Sequence, residues 1–204
     1  AVERAAIEDE AAALAAVDPK TGQILAMVGS RDYFDLEHDG NVNVTLRDRQ
    51  PGSSFKPFAY ATALQKGYTD FTVLFDFKTE FNYNCSPDTI QEKDEFGIDC
   101  YHPQNYDGLY RGPVTLRQGL SQSLNVPSVK TLYLAGVEDT IDLAESMGIT
   151  TLQDRERFGL SLVLGGAEVK LVDIASAYGV FAADGMRSPW SFIQKVESSN
   201  GSVL

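Results

Sequence analysis

The string Ser53-Ser54-Phe55-Lys56 carries the strongest chemical signal in the sequence. A serine hydroxyl is a poor nucleophile at neutral pH, so it needs a neighbouring base and a field that favours its alkoxide. Pro57 lacks an N–H and fits only the first turn of a helix, which predicts a helix start within a residue or so of Ser53. Lys56 then lies on the same face as Ser53, one turn later. The spacing predicts a serine nucleophile with a lysine base.

The environment of Lys56 decides whether it can act as that base. A partly desolvated lysine near the positive end of a helix dipole has its charged form disfavoured, so its neutral amine can take a proton. Ser54 is the weaker candidate for the nucleophile, because a residue two positions away points to another side of the helix. The same string also suits a serine that caps a helix beside a solvated lysine.

A second polar segment, residues 121–127, contains Ser123, which lies 70 residues after Ser53. It ends one predicted helix and begins the next, so Ser123 and Asn125 can project together into a cleft. A hydroxyl can pass a proton to a leaving group, and an amide can hold a lysine and bind a substrate carbonyl. Alone, these residues also suit a helix end and a turn. Together with Ser53 and Lys56 they predict an active site.

Turn and cap residues predict the elements that hold these segments. Apolar residues 11–17 and 23–29 flank a turn with proline and glycine, which predicts a β-hairpin. Residues 68–112 are aromatic and rich in turn residues, which predicts a long excursion with short strands. Helices are predicted from near Ser53 to a stop at Gly67, from Thr115, from Pro127 to Gly136, over 138–147 and over 168–183, and strand over 191–196 and 203–204. The helix over 168–183 is apolar nearly all round, so we expect it to be buried.

Composition excludes several classes of protein. The 204 residues are 43% hydrophobic and 23% charged, which is typical of a folded domain. Twenty-nine acidic residues against 17 basic ones give a net charge of −12, with no basic block that could follow a phosphate backbone, so a nucleic-acid partner is not expected. The longest apolar run, residues 11–17, is too short to cross a bilayer or to serve as an export signal.

The two motifs, in this order, resemble those of the penicillin-binding transpeptidases, and most closely the transpeptidase module of class A, bifunctional penicillin-binding proteins. The motifs of this superfamily are Ser-x-x-Lys, a Ser-x-Asn-type element and Lys-Thr-Gly. The resemblance covers almost the whole chain. Its further segments are VDPKTGQILAMVG at 17–29, RQPG at 49–52, PQNYD at 103–107, GPVTLR at 112–117 and LGGAEV at 164–169.

The resemblance implies a role for each residue of the two motifs. Ser53 is implied to be the acylated nucleophile, with its backbone N–H as one oxyanion donor, and Lys56 the base that activates it. Ser123 is implied to pass a proton to the leaving D-alanine or to the β-lactam nitrogen. Asn125 is implied to contact both Lys56 and the substrate amide, so that Ser53, Ser123 and Asn125 all bind substrate. No cofactor and no metal are implied.

The implied fold is α/β of the α+β type. An antiparallel sheet, begun by the hairpin, packs with helices, and an all-helical half holds both motifs at a cleft. The one Lys-Thr-Gly in the sequence, at 20–22, precedes the nucleophile and lies in the hairpin turn, so we do not assign it to the third motif. We therefore expect residues 1–204 to be a partial transpeptidase domain, with the cleft Lys-Thr-Gly strand beyond the C-terminus.

The implied activity is that of a peptidoglycan D,D-transpeptidase. It attacks the D-Ala-D-Ala end of a stem peptide, forms a serine acyl-enzyme and passes the acyl group to an amine, and β-lactams inhibit it by acylating the same serine. The alternatives are a D,D-carboxypeptidase, a β-lactam-sensing binding module, or a piece that is inactive without its third motif. The implied location is the extracytoplasmic face of the bacterial cytoplasmic membrane, with an N-terminal anchor and a glycosyltransferase domain in the parent protein.

Cys85 and Cys100 enclose 14 residues, a spacing that suits one disulfide. The resemblance implies a protein that acts outside the cytoplasmic membrane, where disulfides can form. With His102 the two cysteines could instead be three metal ligands, but their spacing fits no zinc pattern and no fourth ligand is evident. The sequence leaves the state of the two thiols open.

Overall fold

The structure is a computed structural model that describes residues 12–203. These residues form two units. The hairpin unit consists of the described residues up to 50, with 144–153 and everything from 167 onward. The helical unit consists of residues 51–143 and 154–166, and it contains both sequence motifs. Within the described residues, no helix is long and apolar enough to cross a lipid bilayer.

Over residues 12–203, six strands and five α-helices follow one another. The strands are β1 (Leu14–Val17), β2 (Ile24–Val28), β3 (Asp48–Arg49), β4 (Val73–Asp76), β5 (Gly112–Thr115) and β6 (Val169–Lys170). The helices are α1 (Lys56–Gln65), α2 (Leu116–Ser121), α3 (Asn125–Ala135), α4 (Val137–Met147) and α5 (Leu171–Ala182). The strands pair as three antiparallel two-stranded sheets, β1 with β2, β3 with β6 and β4 with β5.

The predicted hairpin is confirmed in β1 and β2, which pair from Leu14 opposite Val28 to Val17 opposite Ile24. The Asp18 carbonyl closes the turn by accepting from the Gly22 N–H at 2.8 Å. Gly22 has a φ of 75°, a backbone conformation that glycine adopts without steric cost. The Lys-Thr-Gly string at 20–22 therefore lies in the turn of this hairpin.

The last predicted helix begins later than expected. Val169 and Lys170 pair with β3 as β6, so α5 begins at Leu171 and packs against β1. One side of α5 is buried, but Tyr178 is 39% and Phe181 44% exposed. The expectation of a helix buried all round is therefore wrong for the side that carries these two rings.

The strands predicted at the end of the chain are largely wrong. Over the described residues from 191 to 203, Ser191 forms a single bridge with Gln23 and Val203 a single bridge with Glu197, and no continuous strand forms. Residue 204, and the first residue of the segment predicted over 11–17, lie outside the described residues.

The helical unit has α1, α2 and α3 packed together around an apolar core. Thr115 caps α2 in a capping box with Gln118, and Pro127 lies in the first turn of α3, which ends at Gly136, so these predictions are confirmed. The largest fully buried apolar side chains of this core are Phe55, Phe58, Val126, Val129, Leu132, Leu162 and Val163. This packing fixes α1 and α3 side by side, each with one motif at its start.

Residues 77–111 form the long excursion between β4 and β5. Cys85 and Cys100 are bonded to each other, with their Cα atoms 5.8 Å apart, so neither offers a thiolate to a metal. Inside the disulfide loop, residues 85–100, the buried Asp94 carboxyl accepts from the Phe96 and Ile98 N–H groups. Outside it, Glu80 accepts from His102 Nδ1 at 2.8 Å.

Candidate active site

Ser53 lies in a 3₁₀ turn, Gly52–Phe55, that runs directly into α1. The helical backbone therefore begins near Ser53 as predicted, but its first turn is 3₁₀ and the α-helix begins only at Lys56. Residues three apart eclipse each other in a 3₁₀ turn, which sets Ser53 and Lys56 on the same side. The Ser53 side chain is exposed, whereas Lys56 is 1% exposed.

The weaker candidate nucleophile, Ser54, has a local partner. Its hydroxyl donates to the Pro51 carbonyl at 2.6 Å, a contact within the same turn. This contact agrees with the expectation that Ser54 points away from Lys56.

The Lys56 ammonium reaches across to the second motif. Its Nζ donates to the Ser123 carbonyl at 2.6 Å, to Ser123 Oγ at 3.1 Å and to Asn125 Oδ1 at 2.8 Å. Burial lowers the pKa of Lys56 from 10.5 to about 8, because removing the charge from water disfavours the ammonium. The structure thus brings three of the four predicted residues into direct contact. Within residues 12–203, Ser53 is not a hydrogen-bond partner of Lys56 Nζ.

Ser123 occupies an unusual backbone conformation between α2 and α3. Its φ is 53°, in the left-handed region that few residues other than glycine adopt. The turn is closed by the Ser123 N–H, which donates to the Leu120 carbonyl at 3.0 Å. In this turn, Ser123 presents both its carbonyl and its hydroxyl to Lys56, while its side chain stays exposed.

Asn125 is the first residue of α3, and its amide is held at both ends. Its Nδ2 donates to the Gln104 carbonyl at 2.7 Å, which leaves Oδ1 to face Lys56. Its backbone N–H donates to Asn105 Oδ1 at 2.8 Å. The sequence signalled Gln104 and Asn105 only through the PQNYD segment of the resemblance, to which no role was assigned.

Comparisons with known proteins identify the family of the chain. Residues 12–203 match the family model described as the penicillin binding protein transpeptidase domain. The chain belongs to this family. The class A resemblance and the α+β fold that it implied are confirmed by relatives named penicillin-binding protein 1A and by the solved structures described below.

Among curated relatives of this transpeptidase family member, penicillin-binding protein 2D of Bacillus subtilis (strain 168) is 36% identical over 191 residues, covering 93% of this chain and 25% of the relative. Penicillin-binding protein 1A of Aquifex aeolicus (strain VF5) is 35% identical over 198 residues, covering 97% of this chain and 25% of the relative. The chain thus spans 25% of the length of each of these two relatives.

Two solved structures have a similar fold. Penicillin-binding protein 1A from Haemophilus influenzae superposes with a TM-score of 0.76 and 30% identity, covering 95% of this chain and 26% of that one. PonA1 from Mycobacterium tuberculosis, in complex with penicillin V, superposes with a TM-score of 0.74 and 27% identity, covering 96% of this chain and 49% of that one.

Proposed function

We propose that this chain carries the acyl-transfer site of a peptidoglycan D,D-transpeptidase, with Ser53 as the nucleophile. The observation that carries the proposal is the buried Lys56, held by Ser123 and Asn125 and placed one 3₁₀ turn after an exposed serine. Membership of the transpeptidase family and the likeness to a structure solved with penicillin V support it.

The reaction has two steps, and in each step one bond to the acyl carbon forms and another breaks. Ser53 Oγ attacks the carbonyl of the penultimate D-alanine, an ester forms, and the terminal D-alanine leaves after its nitrogen takes a proton. An amine of a neighbouring strand then attacks the ester, an amide forms, and Ser53 recovers its hydroxyl proton. A β-lactam reacts by the first step, with its ring amide in place of the peptide bond.

The partners of Lys56 direct its lone pair when it loses a proton. The ammonium has three N–H groups and three acceptors within reach. The neutral amine has only two N–H groups, and neither the Ser123 carbonyl nor Asn125 Oδ1 can donate to the lone pair. Of these three partners, only the Ser123 hydroxyl can donate to the lone pair, and it lies 3.1 Å from Nζ. General-base activation of Ser53 then requires its hydroxyl to reach Lys56 directly or through Ser123 when substrate binds.

Ser123 and Asn125 complete the proposed site. The Ser123 hydroxyl, 3.1 Å from Lys56 Nζ and exposed, can pass the proton from Lys56 to the leaving nitrogen. Asn125 Nδ2 carries two hydrogens, and one donates to the Gln104 carbonyl, so the other can donate to a substrate carbonyl. The Ser53 backbone N–H is the proposed oxyanion donor. The resemblance assigns the substrate carboxylate to a further Lys-Thr-Gly, and we propose no described residue for that role.

A fluorescent penicillin tests the proposal in the full-length protein. Wild type and the matched control Ser54→Ala are expected to give one stable covalent adduct by intact-mass analysis, and Ser53→Ala none. Unchanged labelling of Ser53→Ala would overturn the assignment of the nucleophile. Rapid loss of the adduct would instead indicate a β-lactamase. A crosslinking assay with stem peptides then separates a transpeptidase from a carboxypeptidase or a sensor.

We propose that the protein acts at the extracytoplasmic face of the bacterial membrane.

A further inference from the structure

A buried asparagine in the PQNYD segment takes no part in the proposed reaction. Asn105 is 5% exposed, and its Nδ2 donates to both carboxyl oxygens of Asp76, at 3.0 and 2.8 Å, and to the Leu109 carbonyl at 2.8 Å. Its Oδ1 accepts from the backbone N–H of Asn125 at 2.8 Å. Each polar atom of this side chain is therefore engaged, and one of its contacts reaches the second catalytic motif.

Asp76 fixes which end of the Asn105 amide faces which neighbour. It is the last residue of β4, it is 0% exposed, and it also accepts from the Arg111 backbone N–H at 2.9 Å. An ionised carboxyl group only accepts hydrogen bonds, so Asn105 must present Nδ2 to Asp76 and Oδ1 to the opposite side. A flipped Asn105 would place its amide hydrogens against the N–H of Asn125, donor against donor.

The contact at Asn125 replaces a hydrogen bond that the helix cannot supply. The first N–H groups of an α-helix have no acceptor within the helix, and Asn125 begins α3. Asn105 Oδ1 accepts from this N–H, while the adjacent Gln104 carbonyl accepts from Asn125 Nδ2. Gln104 thus fixes the side chain of Asn125, and the next residue, Asn105, fixes its backbone.

We infer that Asp76 and Asn105 are positioning residues, which hold Asn125 so that its Oδ1 faces Lys56. The inference rests on the proposed role of Lys56 as the base. An Asn125 that shifts or turns its amide would offer Lys56 a donor in place of an acceptor, or nothing. The lone pair of the neutral amine would then no longer be directed toward the Ser123 hydroxyl.

We expect Asp76 to influence Lys56 through these hydrogen bonds. The Asp76 charge raises the pKa of the neighbouring Lys130, opposing the larger effect of burial, which lowers it. For Lys56, burial is the cause of the lowered pKa. Replacing the Asp76 carboxyl by an amide should therefore act by reversing the polarity of the contact with Asn105.

The test measures the second-order rate constant of acylation by a fluorescent penicillin in the full-length protein. Asn105→Ala is expected to lose about 10²-fold, the scale of a displaced catalytic group. If Asn105 acts only through Asn125, Asn105→Ala adds no further loss in an Asn125→Ala background. The matched control is Asn82→Ala, which removes an asparagine bonded to Asp94 at 3.1 Å in the same unit, and it should acylate like wild type.

The pH profile separates positioning from general loosening of the fold. Asn125 Oδ1 stabilises the charged form of Lys56, so its displacement should move the midpoint of the rate–pH profile of Asn105→Ala below that of wild type. If Asn105→Ala does not fold, Asp76→Asn and Asn105→Asp replace it. Each of these variants mismatches a donor or an acceptor at the contact between residues 76 and 105, so each should also lose about 10²-fold in rate.

Two results would overturn the inference. They are a wild-type rate and midpoint in Asn105→Ala, and losses that multiply in the Asn105→Ala/Asn125→Ala double variant. These results differ from a failure of the proposed function, in which Ser53→Ala acylates like wild type. If Ser53 is required and Asn105→Ala behaves like Asn82→Ala, the positioning role alone is wrong.

Discussion

Two irregular regions of the helical unit are each organised by a buried carboxyl group. In the disulfide loop, Asp94 accepts from the N–H groups of Phe96 and Ile98, two and four residues further on. Beside the two sequence motifs, Asp76 accepts from Asn105, which is 29 residues away in the chain. The first carboxyl bonds within its loop and to Asn82 just before it, whereas the second fixes a side chain that in turn contacts Asn125.

We expect the contacts of Asp94 to affect mainly stability and those of Asp76 to affect mainly the rate of acylation. The contacts of Asp94 with the Phe96 and Ile98 backbone end within its own loop, so their loss should loosen that loop and leave the site of Lys56 as it is. The contacts of Asp76 continue through Asn105 to Asn125, so their loss should change the rate of acylation. The following predictions test this separation, ordered by the size of the expected effect.

The largest effect is expected at Lys56. Lys56→Met keeps an unbranched side chain in a buried position but removes the base, and general-base catalysis contributes about 10²- to 10⁴-fold. The acylation rate should fall by that factor in the fluorescent-penicillin assay. The control is Lys130→Met, which removes a lysine whose Nζ donates to the Phe75 carbonyl at 2.7 Å. Equal losses in the two variants would contradict the special role of Lys56.

Removing the disulfide should reduce stability and spare the chemistry. Cys85→Ser combined with Cys100→Ser opens a loop with a sequence separation of 15. The chain-entropy model assigns about 3 kcal/mol to a loop of this length, measured as the loss in the free energy of unfolding by urea. Below the unfolding transition the acylation rate should stay within twofold of wild type, an order-of-magnitude allowance of about 0.4 kcal/mol. A rate loss as large as that of Asn105→Ala would abolish the distinction between the two regions.

The pH dependence of the acylation rate should follow the ionisation of Lys56. Because burial lowers its pKa to about 8, the neutral fraction should rise about tenfold between pH 7 and pH 9, and the acylation rate with it. A rate that is flat over this range would contradict Lys56 as the base.

The same pKa predicts the sign of a change in stability. The folded-state pKa of about 8 lies below the ordinary 10.5, so between these values the unfolded chain binds more protons than the folded one. Stability should therefore rise as the pH increases through this window. Urea unfolding of wild type and Lys56→Met over this range measures it, and the rise should be absent from the variant.

The smallest effect is expected at the cap of α2. Thr115→Ala removes the side chain that accepts from the Gln118 N–H, and the loss of such a cap costs about 1 kcal/mol of stability. The midpoint of the rate–pH profile should not move, because α2 leads to Ser123 without contacting Lys56 through its cap. A shifted midpoint would show that the start of α2 also positions the site.

Local signals in the sequence predicted most elements correctly. Turn residues predicted the hairpin of β1 and β2, and the residues Thr115, Pro127 and Gly136 predicted where helices begin and end, because caps and turns depend on neighbours in the chain. The predicted start of α5 was wrong, because Val169–Lys170 pair with β3, a partner more than a hundred residues away in the sequence. No local pattern distinguishes such a short strand from a first helical turn.

The sequence predicted the two motifs of the site, but not the residues that hold them in place. The spacing of Ser53 and Lys56 indicated a shared face, and the structure brings Lys56 to Ser123 and Asn125, while the catalytic roles of all four stay predictions. Nothing local marks a lone aspartate at the end of β4 as the partner of an asparagine 29 residues later. The contact exists only because β4, the PQNYD segment and the start of α3 meet in the folded chain.

The backbone of Ser123 bears on any attempt to redesign this protein. A residue with a side chain in the left-handed region costs about 1–2 kcal/mol relative to glycine, so a search for stabilising substitutions would favour Ser123→Gly. That substitution would delete the hydroxyl beside Lys56. An engineer who ranks variants by melting temperature alone would therefore select against a group that the proposed reaction uses, and residue 123 should be held constant in such libraries.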